Sequence, residues 1–264
     1  MSVPGFNSER FELLGKPREV YRRGRGPAVI VLSEIPGITP EVARFSRRVA
    51  DAGFSVFMPQ LFGTPMAPLT SARSAAVIAR VCIRREIHVL SSNQSSPVVD
   101  WLRALARRAH ELCGGPGVGV VGMCITGNFG LAMMLDAPVI APVLAQPSLP
   151  GGPTAAQRAA LHASPQEIAA AREKIAHQGA RILGLRFKGD PFCRAARFKT
   201  LRDTFGPAFE AIELDSRCGK QGTPLPPHSM LTTHLIDEAG QPTRQALERT
   251  LAFLAEQLKR PGPA

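Results

Sequence analysis

Short apolar runs alternate with longer amphipathic segments along most of the chain. Residues 27–35 (PAVIVLSEI) and 118–123 (VGVVGM) are almost wholly apolar, which is typical of strands buried on both faces of a parallel sheet. Residues 39–53 have helical spacing instead, with Thr39 as the predicted N-cap and Gly53 as the stop signal. The alternation recurs about six times. It predicts an α/β protein with a mostly parallel central sheet and helices on both faces.

The same pattern predicts the remaining elements. Further strands are expected over residues 54–63, 137–146, 180–190 and 208–215, and further helices over residues 74–90, 97–113, 126–136, 165–179, 191–206 and 242–260. An irregular or hairpin entry is expected over residues 10–24. Because no repeat or strong linker divides the chain, we expect a single domain over residues 1–264, with 61–97 and 147–164 as candidate lid or cap segments.

The net charge and the spacing of the cysteines limit which binding partners and cofactors we expect. The 264 residues carry a formal net charge of +11, which favours anionic small molecules or acidic surfaces. The basic residues are scattered and only one Trp and one Tyr are available for stacking, so we expect no nucleic-acid partner. The five cysteines are irregularly spaced and form no CxxC pair, which argues against a disulfide framework or a zinc site. We expect no metal and no other cofactor.

Membrane and export signals are weak. No apolar run approaches the roughly 20 residues of a membrane-spanning helix. The N-terminal stretch MSVPGFNSERFELL lacks the apolar region of a secretory signal. We therefore expect a cytoplasmic protein without a membrane partner, acting as a monomer or a homodimer.

Residues 117–130 (GVGVVGMCITGNFG) contain the strongest candidate for chemistry. Cys124 ends the apolar run, with Gly122 two residues before it and Gly127 three residues after it. Such spacing suits a sharp strand-to-helix turn that lifts a nucleophile above the sheet, next to a helix N-terminus that favours thiolate. A rival interpretation is the dinucleotide fingerprint GxGxxG over residues 117–122, although its glycines fall inside the predicted strand. A third is a buried cysteine in a glycine-rich turn.

A thiol nucleophile needs a base, and the base needs an orienting acid. His228 follows the last predicted strand, where the chain order nucleophile, acid, histidine places the base, and His234 is the alternative. Asp190, at the end of the preceding strand, is the favoured acid. Asp215 and Asp136 are the other acid candidates, and helix capping is the alternative role for Asp190.

Glu34 ends a predicted strand at the same edge of the sheet. It could hold the proton of the thiol or steer the imidazole, or it could be a strand-end carboxylate paired with an arginine. The backbone N–H groups of Ile35 and Ile125 are the candidate oxyanion donors. Ile35 begins the loop after that strand, and Ile125 directly follows the cysteine.

These segments resemble the dienelactone hydrolase family, the cysteine branch of the α/β-hydrolase fold. The similar segments are GMCITG (122–127) for its elbow G-x-C-x-G-G, SEIPGI (33–38) for its EIFG, GFSVFMPQLFG (53–63) for its Y-x-V-x-x-P-x-L-[FY], KGDPFCRAA (188–196) for its acid turn GGxDxxVP, and PHSM (227–230) for its GHSF. The resemblance covers about residues 25–258.

The resemblance implies a triad of Cys124, His228 and Asp190, with Glu34 as a partner of the thiol. The implied activity is carboxymethylenebutenolidase-like hydrolysis of small esters or lactones, with a preference for anionic ones, through an acyl-cysteine intermediate.

Three features depart from the family pattern. Thr126 replaces a glycine at the elbow, and Pro227 precedes the histidine where glycine is expected. The third is a basic helix carrying Arg80, Arg84 and Arg85, in the region of the family's substrate-carboxylate arginines, and Arg84 and Arg80 are therefore candidate substrate contacts. Thr126 and Pro227 motivate an alternative function, a hydrolase-fold protein that binds a ligand without turning it over.

Overall fold

The described part of the chain forms an eight-stranded sheet. The computed structural model describes residues 2–68, 70–83, 96–148, 154–224 and 226–259, with residues 78–83 described by their backbone alone. The strands are β1 (Asn7–Leu13), β2 (Lys16–Arg23), β3 (Ala28–Leu32), β4 (Ser55–Pro59), β5 (Val118–Met123), β6 (Val139–Ala145), β7 (Ile182–Phe187) and β8 (Phe209–Leu214).

The sheet has the order β1-β2-β4-β3-β5-β6-β7-β8. β1 and β2 form an antiparallel hairpin, and β2 also pairs with β4 in antiparallel fashion. All pairs from β4 through β8 are parallel. The prediction of a mostly parallel central sheet is confirmed, and the hairpin begins at Asn7 rather than near residue 10.

Helices connect the strands. They are α1 (Pro40–Asp51), α2 (Ser71–Ile83), α3 (Pro97–Cys113), α4 (Phe129–Ala132), α5 (Ala155–Ala159), α6 (Pro165–Gln178), α7 (Ala195–Phe205) and α8 (Pro242–Leu258). Short 3₁₀ helices lie at Cys124–Asn128, Gly206–Ala208 and Ser216–Cys218. In the part of the chain that the structure describes, no helix combines the length and the apolarity that crossing a bilayer requires.

The two candidate lid segments each contain a helix, α2 in residues 61–97 and α5 in residues 147–164. Residues 84–95 and 149–153 of these segments lie outside the described residues. Their assignment as lids stays a prediction.

The segment after β5 differs from the predicted helix over residues 126–136. It begins as a 3₁₀ helix at Cys124–Asn128 and continues as the four-residue α4. Gly127 and Gly130 pack directly on the β6 side, since a Cβ at Gly130 would lie 2.7 Å from Cδ2 of Leu144. Close packing, rather than the weak helix propensity of two glycines, sets the course of the chain here.

The central strands end at one edge of the sheet. β3, β5, β6 and β7 are buried along their whole length, and because they are parallel their carboxyl ends lie together. Polar residues follow each end within three residues: Glu34, Cys124, Ser148 and Asp190. Ligand and catalytic sites of open α/β sheets form at this edge.

A buried ion pair fixes the end of the segment that follows Cys124. Arg103, on α3, donates from Nε and Nη2 to the carbonyl oxygen of Ala132, the last residue of α4, at 2.9 and 2.7 Å. Its Nη2 also donates to Oε1 of Glu167, in the first turn of α6, at 2.5 Å. Both side chains of this pair are almost fully buried, so the loss of one leaves the other uncompensated.

We predict that Arg103→Met lowers the free energy of unfolding by about 3–5 kcal/mol, because Glu167 would be left buried without its cation. Urea denaturation measures this. The control is Arg108→Met, which removes an exposed pair with Glu111 and should cost less than about 1 kcal/mol. Similar losses in the two variants would contradict the account.

Candidate active site

Cys124 lies on a strained turn between β5 and the 3₁₀ helix. Its φ is 57°, a left-handed conformation that non-glycine residues rarely adopt. The chain reverses so closely that a Cβ at Gly122 would lie 2.2 Å from the carbonyl oxygen of Thr126. A Cβ at Gly127 would lie 2.9 Å from Cα of Pro147, so the two glycines that bracket the cysteine in the sequence permit this turn.

The side chain of Thr126 links the turn to the neighbouring strand. Its buried hydroxyl accepts a hydrogen bond from the N–H of Met123 (2.9 Å) and lies within donating distance of the carbonyl oxygen of Leu32, the last residue of β3 (3.1 Å). Threonine in place of the family's glycine is thus accommodated at the elbow, where it adds a tie between β5 and β3.

His228 and Asp190 form a buried pair. Nδ1 of the ring lies 2.6 Å from Oδ2 of Asp190, and both residues are less than 5% exposed. Oδ1 of the same carboxylate accepts from the N–H of Phe192 at 2.8 Å. The ring of Phe192 also packs edge-on against the imidazole, with centroids 5.4 Å apart. The acid thus holds one ring nitrogen and leaves the other for a different partner.

The second ring nitrogen of His228, Nε2, is the one that Asp190 leaves available to Cys124. Nε2 is buried and has no hydrogen bond of good geometry within the described residues. Burial alone lowers the pKa of His228, but the negative charges of Cys124 and of Asp190 more than offset it, and the pKa lies well above its ordinary value. The effect of Cys124 on this pKa indicates that the cysteine and the imidazole are neighbours.

The alternative histidine and the alternative acids that the sequence offers have other hydrogen-bond or ion-pair partners. His234 is fully buried, and its Nδ1 accepts hydrogen bonds from the N–H groups of Ser229 (3.1 Å) and His228 (3.4 Å). It therefore holds the loop that carries His228. Asp136 forms ion pairs with Arg103 and Arg107, and Asp215 caps the 3₁₀ helix at Ser216–Cys218.

Glu34 is held by hydroxyl groups. Its buried carboxylate accepts hydrogen bonds from Oγ of Ser229 (2.5 Å), from Oγ1 of Thr232 and from Nε2 of Gln146 (3.4 Å). No ion pair with an arginine is found for it in the described part of the chain. The carboxylate thus fastens the loop after His228 to the end of β3, and its role as partner of the thiol stays a prediction.

The thiol of Cys124 has a neighbour that the sequence analysis did not identify. Its Sγ lies 3.1 Å from Oγ of Ser148, which follows β6 and is buried. The available signal was its position, three residues after an apolar strand at the same sheet edge. Ser148 also belongs to residues 147–164, which the sequence pattern predicts as a lid or cap segment, and that interpretation obscures its position at the edge.

The other sequence candidates are only partly described. Ile125 is buried directly after Cys124, and the half-buried Ile35 lies after β3, so both occupy the predicted edge. The backbone of Arg80 is in α2, but its side chain is not described, and Arg84 lies outside the described residues.

The glycines of the rival dinucleotide motif do not form a phosphate loop. Gly119 and Gly122 lie within β5, and a Cβ at Gly119 would lie 2.9 Å from the side chains of Leu254 and Leu258 of α8. Gly119 thus allows α8 and β5 to pack closely, and Gly122 allows the turn at Cys124.

Cys193 illustrates why position matters for a thiol. It is fully buried beside the site, and burial, together with the charge of Asp190, raises the pKa of its thiol. A thiol in such surroundings is inert, whereas Cys124 is partly exposed at the turn.

We predict that Thr126→Val lowers the free energy of unfolding by about 1–3 kcal/mol, because the buried N–H of Met123 loses its acceptor. Thr126→Ser retains the hydroxyl and is the control, with a smaller loss. Denaturant unfolding measures both variants. A valine variant as stable as the serine variant would contradict the role of the hydroxyl.

The raised pKa of His228 predicts a pH dependence of stability. The folded protein binds this proton more tightly than the unfolded chain, whose histidine has a pKa of about 6.5. The stabilisation is therefore complete below about pH 6.5 and is lost as the pH rises through the raised pKa. The unfolding free energy of the wild type minus that of His228→Gln should fall as the pH rises from about 6.5 through the raised pKa. The exposed His177→Gln serves as control, and a difference that grows with pH contradicts the assignment.

Comparison with known proteins agrees with this architecture. The sequence profile of the dienelactone hydrolase family matches residues 12–215, a stretch that includes Glu34, Cys124 and Asp190 and ends before His228. A search of curated proteins gives no match.

Solved structures share the fold over nearly the whole chain. A candidate dienelactone hydrolase from Klebsiella pneumoniae subsp. pneumoniae is 18% identical, with a TM-score of 0.64 and coverage of 95% of this chain and 98% of that one. For a dienelactone hydrolase-like promiscuous phosphotriesterase from metagenomic libraries the values are 16%, 0.55, 96% and 99%. For a hyperthermophilic esterase from the archaeon Pyrobaculum calidifontis they are 14%, 0.57, 97% and 86%. These likenesses show an α/β-hydrolase fold, and the family match over most of the sequence shows that the chain belongs to the dienelactone hydrolase family.

Proposed function

We propose that this member of the family hydrolyses small esters or lactones through an acyl-cysteine on Cys124. The observation that carries the proposal is geometric: a cysteine with φ of 57° and a buried His228–Asp190 pair, with Nδ1 2.6 Å from Oδ2, lie at the same edge of the sheet. Burial lowers the pKa of His228, but Cys124 and Asp190 together raise it well above its ordinary value. A thiol near an imidazole that a buried acid orients is the arrangement that nucleophilic catalysis requires.

In the first half of the proposed reaction, Sγ of Cys124 attacks the carbonyl carbon of the substrate. The carbonyl electrons move to oxygen, where the N–H groups of Ile125 and Ile35 are the proposed donors. When the intermediate collapses, the alkoxide leaves with the proton of Nε2 of His228, and a thioester remains on Cys124. Asp190 keeps the ring oriented by holding Nδ1.

In the second half, water attacks the thioester. His228 takes a proton from the water, the C–S bond breaks, and its electron pair returns to Sγ. The acid product leaves and the thiolate–imidazolium pair is restored. Esters and lactones suit this nucleophile better than amides do, because a thiolate leaves more readily than an amide nitrogen.

The proposed substrate class rests on the net charge of the chain, and the proposed role of Glu34 rests on its position at the sheet edge. The net charge of +11 supports anionic substrates, with Arg80 and Arg84 as proposed contacts for a carboxylate. Glu34 lies at the same edge, and we propose that it holds the proton of the thiol until substrate arrives, when that proton passes to Nε2 of His228. Its two hydroxyl donors, Ser229 and Thr232, would take up the carboxylate's charge once the thiolate forms.

We predict that Cys124→Ala lowers turnover of a panel of activated esters and lactones by several orders of magnitude, because the nucleophile is lost. The control is Cys218→Ala, a half-buried cysteine on the 3₁₀ helix at Ser216–Cys218, which should retain wild-type turnover. Initial rates with purified proteins measure both.

Equal turnover in wild type and Cys124→Ala would contradict the proposal. If the wild type binds members of the panel without turning any over, the alternative of a ligand-binding protein with this fold replaces it.

A further inference from the structure

Ser148 is fixed to the turn that carries Cys124. Its N–H donates to the carbonyl oxygen of Cys124 at 3.0 Å, and its own carbonyl oxygen accepts from Nδ2 of Asn128 at 3.0 Å. With the contact of 3.1 Å between its hydroxyl and Sγ, every polar group of Ser148 is engaged with the segment 124–128. The residue is 3% exposed, so its hydroxyl has little access to water.

The chain before Ser148 is built to deliver it there. Gln146 has a φ of 37°, a conformation that turns the chain away from the sheet. Its N–H donates to the carbonyl oxygen of Leu185 on β7. Arg197, buried at the start of α7, donates to the carbonyl oxygen of Pro147 at 2.5 Å and to Oδ1 of Asn128 at 3.4 Å. The loop 146–148 is therefore held on both sides before any substrate arrives.

We propose that Ser148 is a further catalytic residue, whose hydroxyl donates to Sγ of Cys124 as the thiolate leaves in deacylation. The proposal rests on Cys124 being the nucleophile. It assigns to Ser148 a step in the reaction that neither His228 nor the oxyanion donors serve.

The direction of the effect follows from the charge on sulfur. A thioester sulfur is a weak hydrogen-bond acceptor, whereas a thiolate accepts strongly from a nearby hydroxyl. The bond between Ser148 and Sγ therefore strengthens while the C–S bond breaks, and it lowers the barrier to that step. In acylation the same bond stabilises the attacking thiolate, and attack weakens it. Removing the hydroxyl should thus slow deacylation and leave acylation equal or faster.

Water adds to the thioester carbonyl after giving one proton to Nε2 of His228. The tetrahedral intermediate collapses, the C–S electron pair goes to Sγ, and the carboxylic acid departs. The hydroxyl proton of Ser148 is shared with the thiolate and stays on its oxygen, so Ser148 is unchanged at the end of the cycle.

The test is rapid-mixing kinetics of Ser148→Ala with an activated p-nitrophenyl ester, in which the burst reports acylation and the steady state reports deacylation. Deacylation should fall about tenfold, as for the loss of one hydrogen bond to a charged group. The burst rate, compared at a pH above the alkylation midpoints of both proteins so that the thiolate fraction is equal, should not fall. Intact mass should show the acyl-enzyme accumulating, and the pH midpoint for alkylation of the Cys124 peptide by iodoacetamide should rise.

Two further variants serve as controls. Ser148→Thr keeps the hydroxyl and should restore deacylation to near the wild-type rate. Ser33→Ala removes another fully buried serine hydroxyl at the end of β3, one that has no hydrogen-bond partner in the described residues, and should leave both rates unchanged.

A Ser148→Ala protein that loses acylation and deacylation equally, or that keeps the wild-type pH midpoint, overturns the inference. Failure of the proposed function is a separate result, since Cys124→Ala would then keep its turnover whatever Ser148→Ala does.

Discussion

The backbone turn at Cys124 is the constraint on which the rest of the site depends. A cysteine with φ of 57° is held only where its surroundings enforce the conformation. Here Gly122 allows the chain to fold back on Thr126, and the hydroxyl of Thr126 ties the turn to β3. The turn places the thiol beyond the carboxyl ends of the central strands, which is where the loops carrying Ser148, Asp190 and His228 also emerge.

Two buried carboxylates serve the loop of His228 in different ways. Asp190 accepts from the ring itself, while Glu34 accepts from Ser229 and Thr232, one and four residues further along. His234 completes the support from inside the loop. A segment that follows β8 and has no regular secondary structure around His228 thereby acquires a fixed geometry. Hydrogen bonds fix this segment, as regular secondary structure fixes other parts of the chain.

The sequence predicts what local patterns determine. The helix over 97–113 and the strand over 118–123 have their predicted bounds, because apolar periodicity and end signals specify them. The edge where Cys124, Asp190 and His228 gather follows from parallel strands ending together. By contrast, the contact of Ser148 with Sγ and the use of Thr126 arise from tertiary packing between segments far apart in sequence. The short 3₁₀ helix at the turn likewise reflects packing of Gly127 and Gly130 on β6, and the helix propensities of the residues do not predict that packing.

The most direct test of the central claim is to trap the intermediate. The protein is quenched in acid milliseconds after mixing with an activated ester, digested, and analysed by mass spectrometry. The account predicts an acyl group on the Cys124 peptide that neutral hydroxylamine removes, as it does a thioester. An acyl group on Ser148, or turnover that leaves Cys124 unmodified at every quench time, would contradict it.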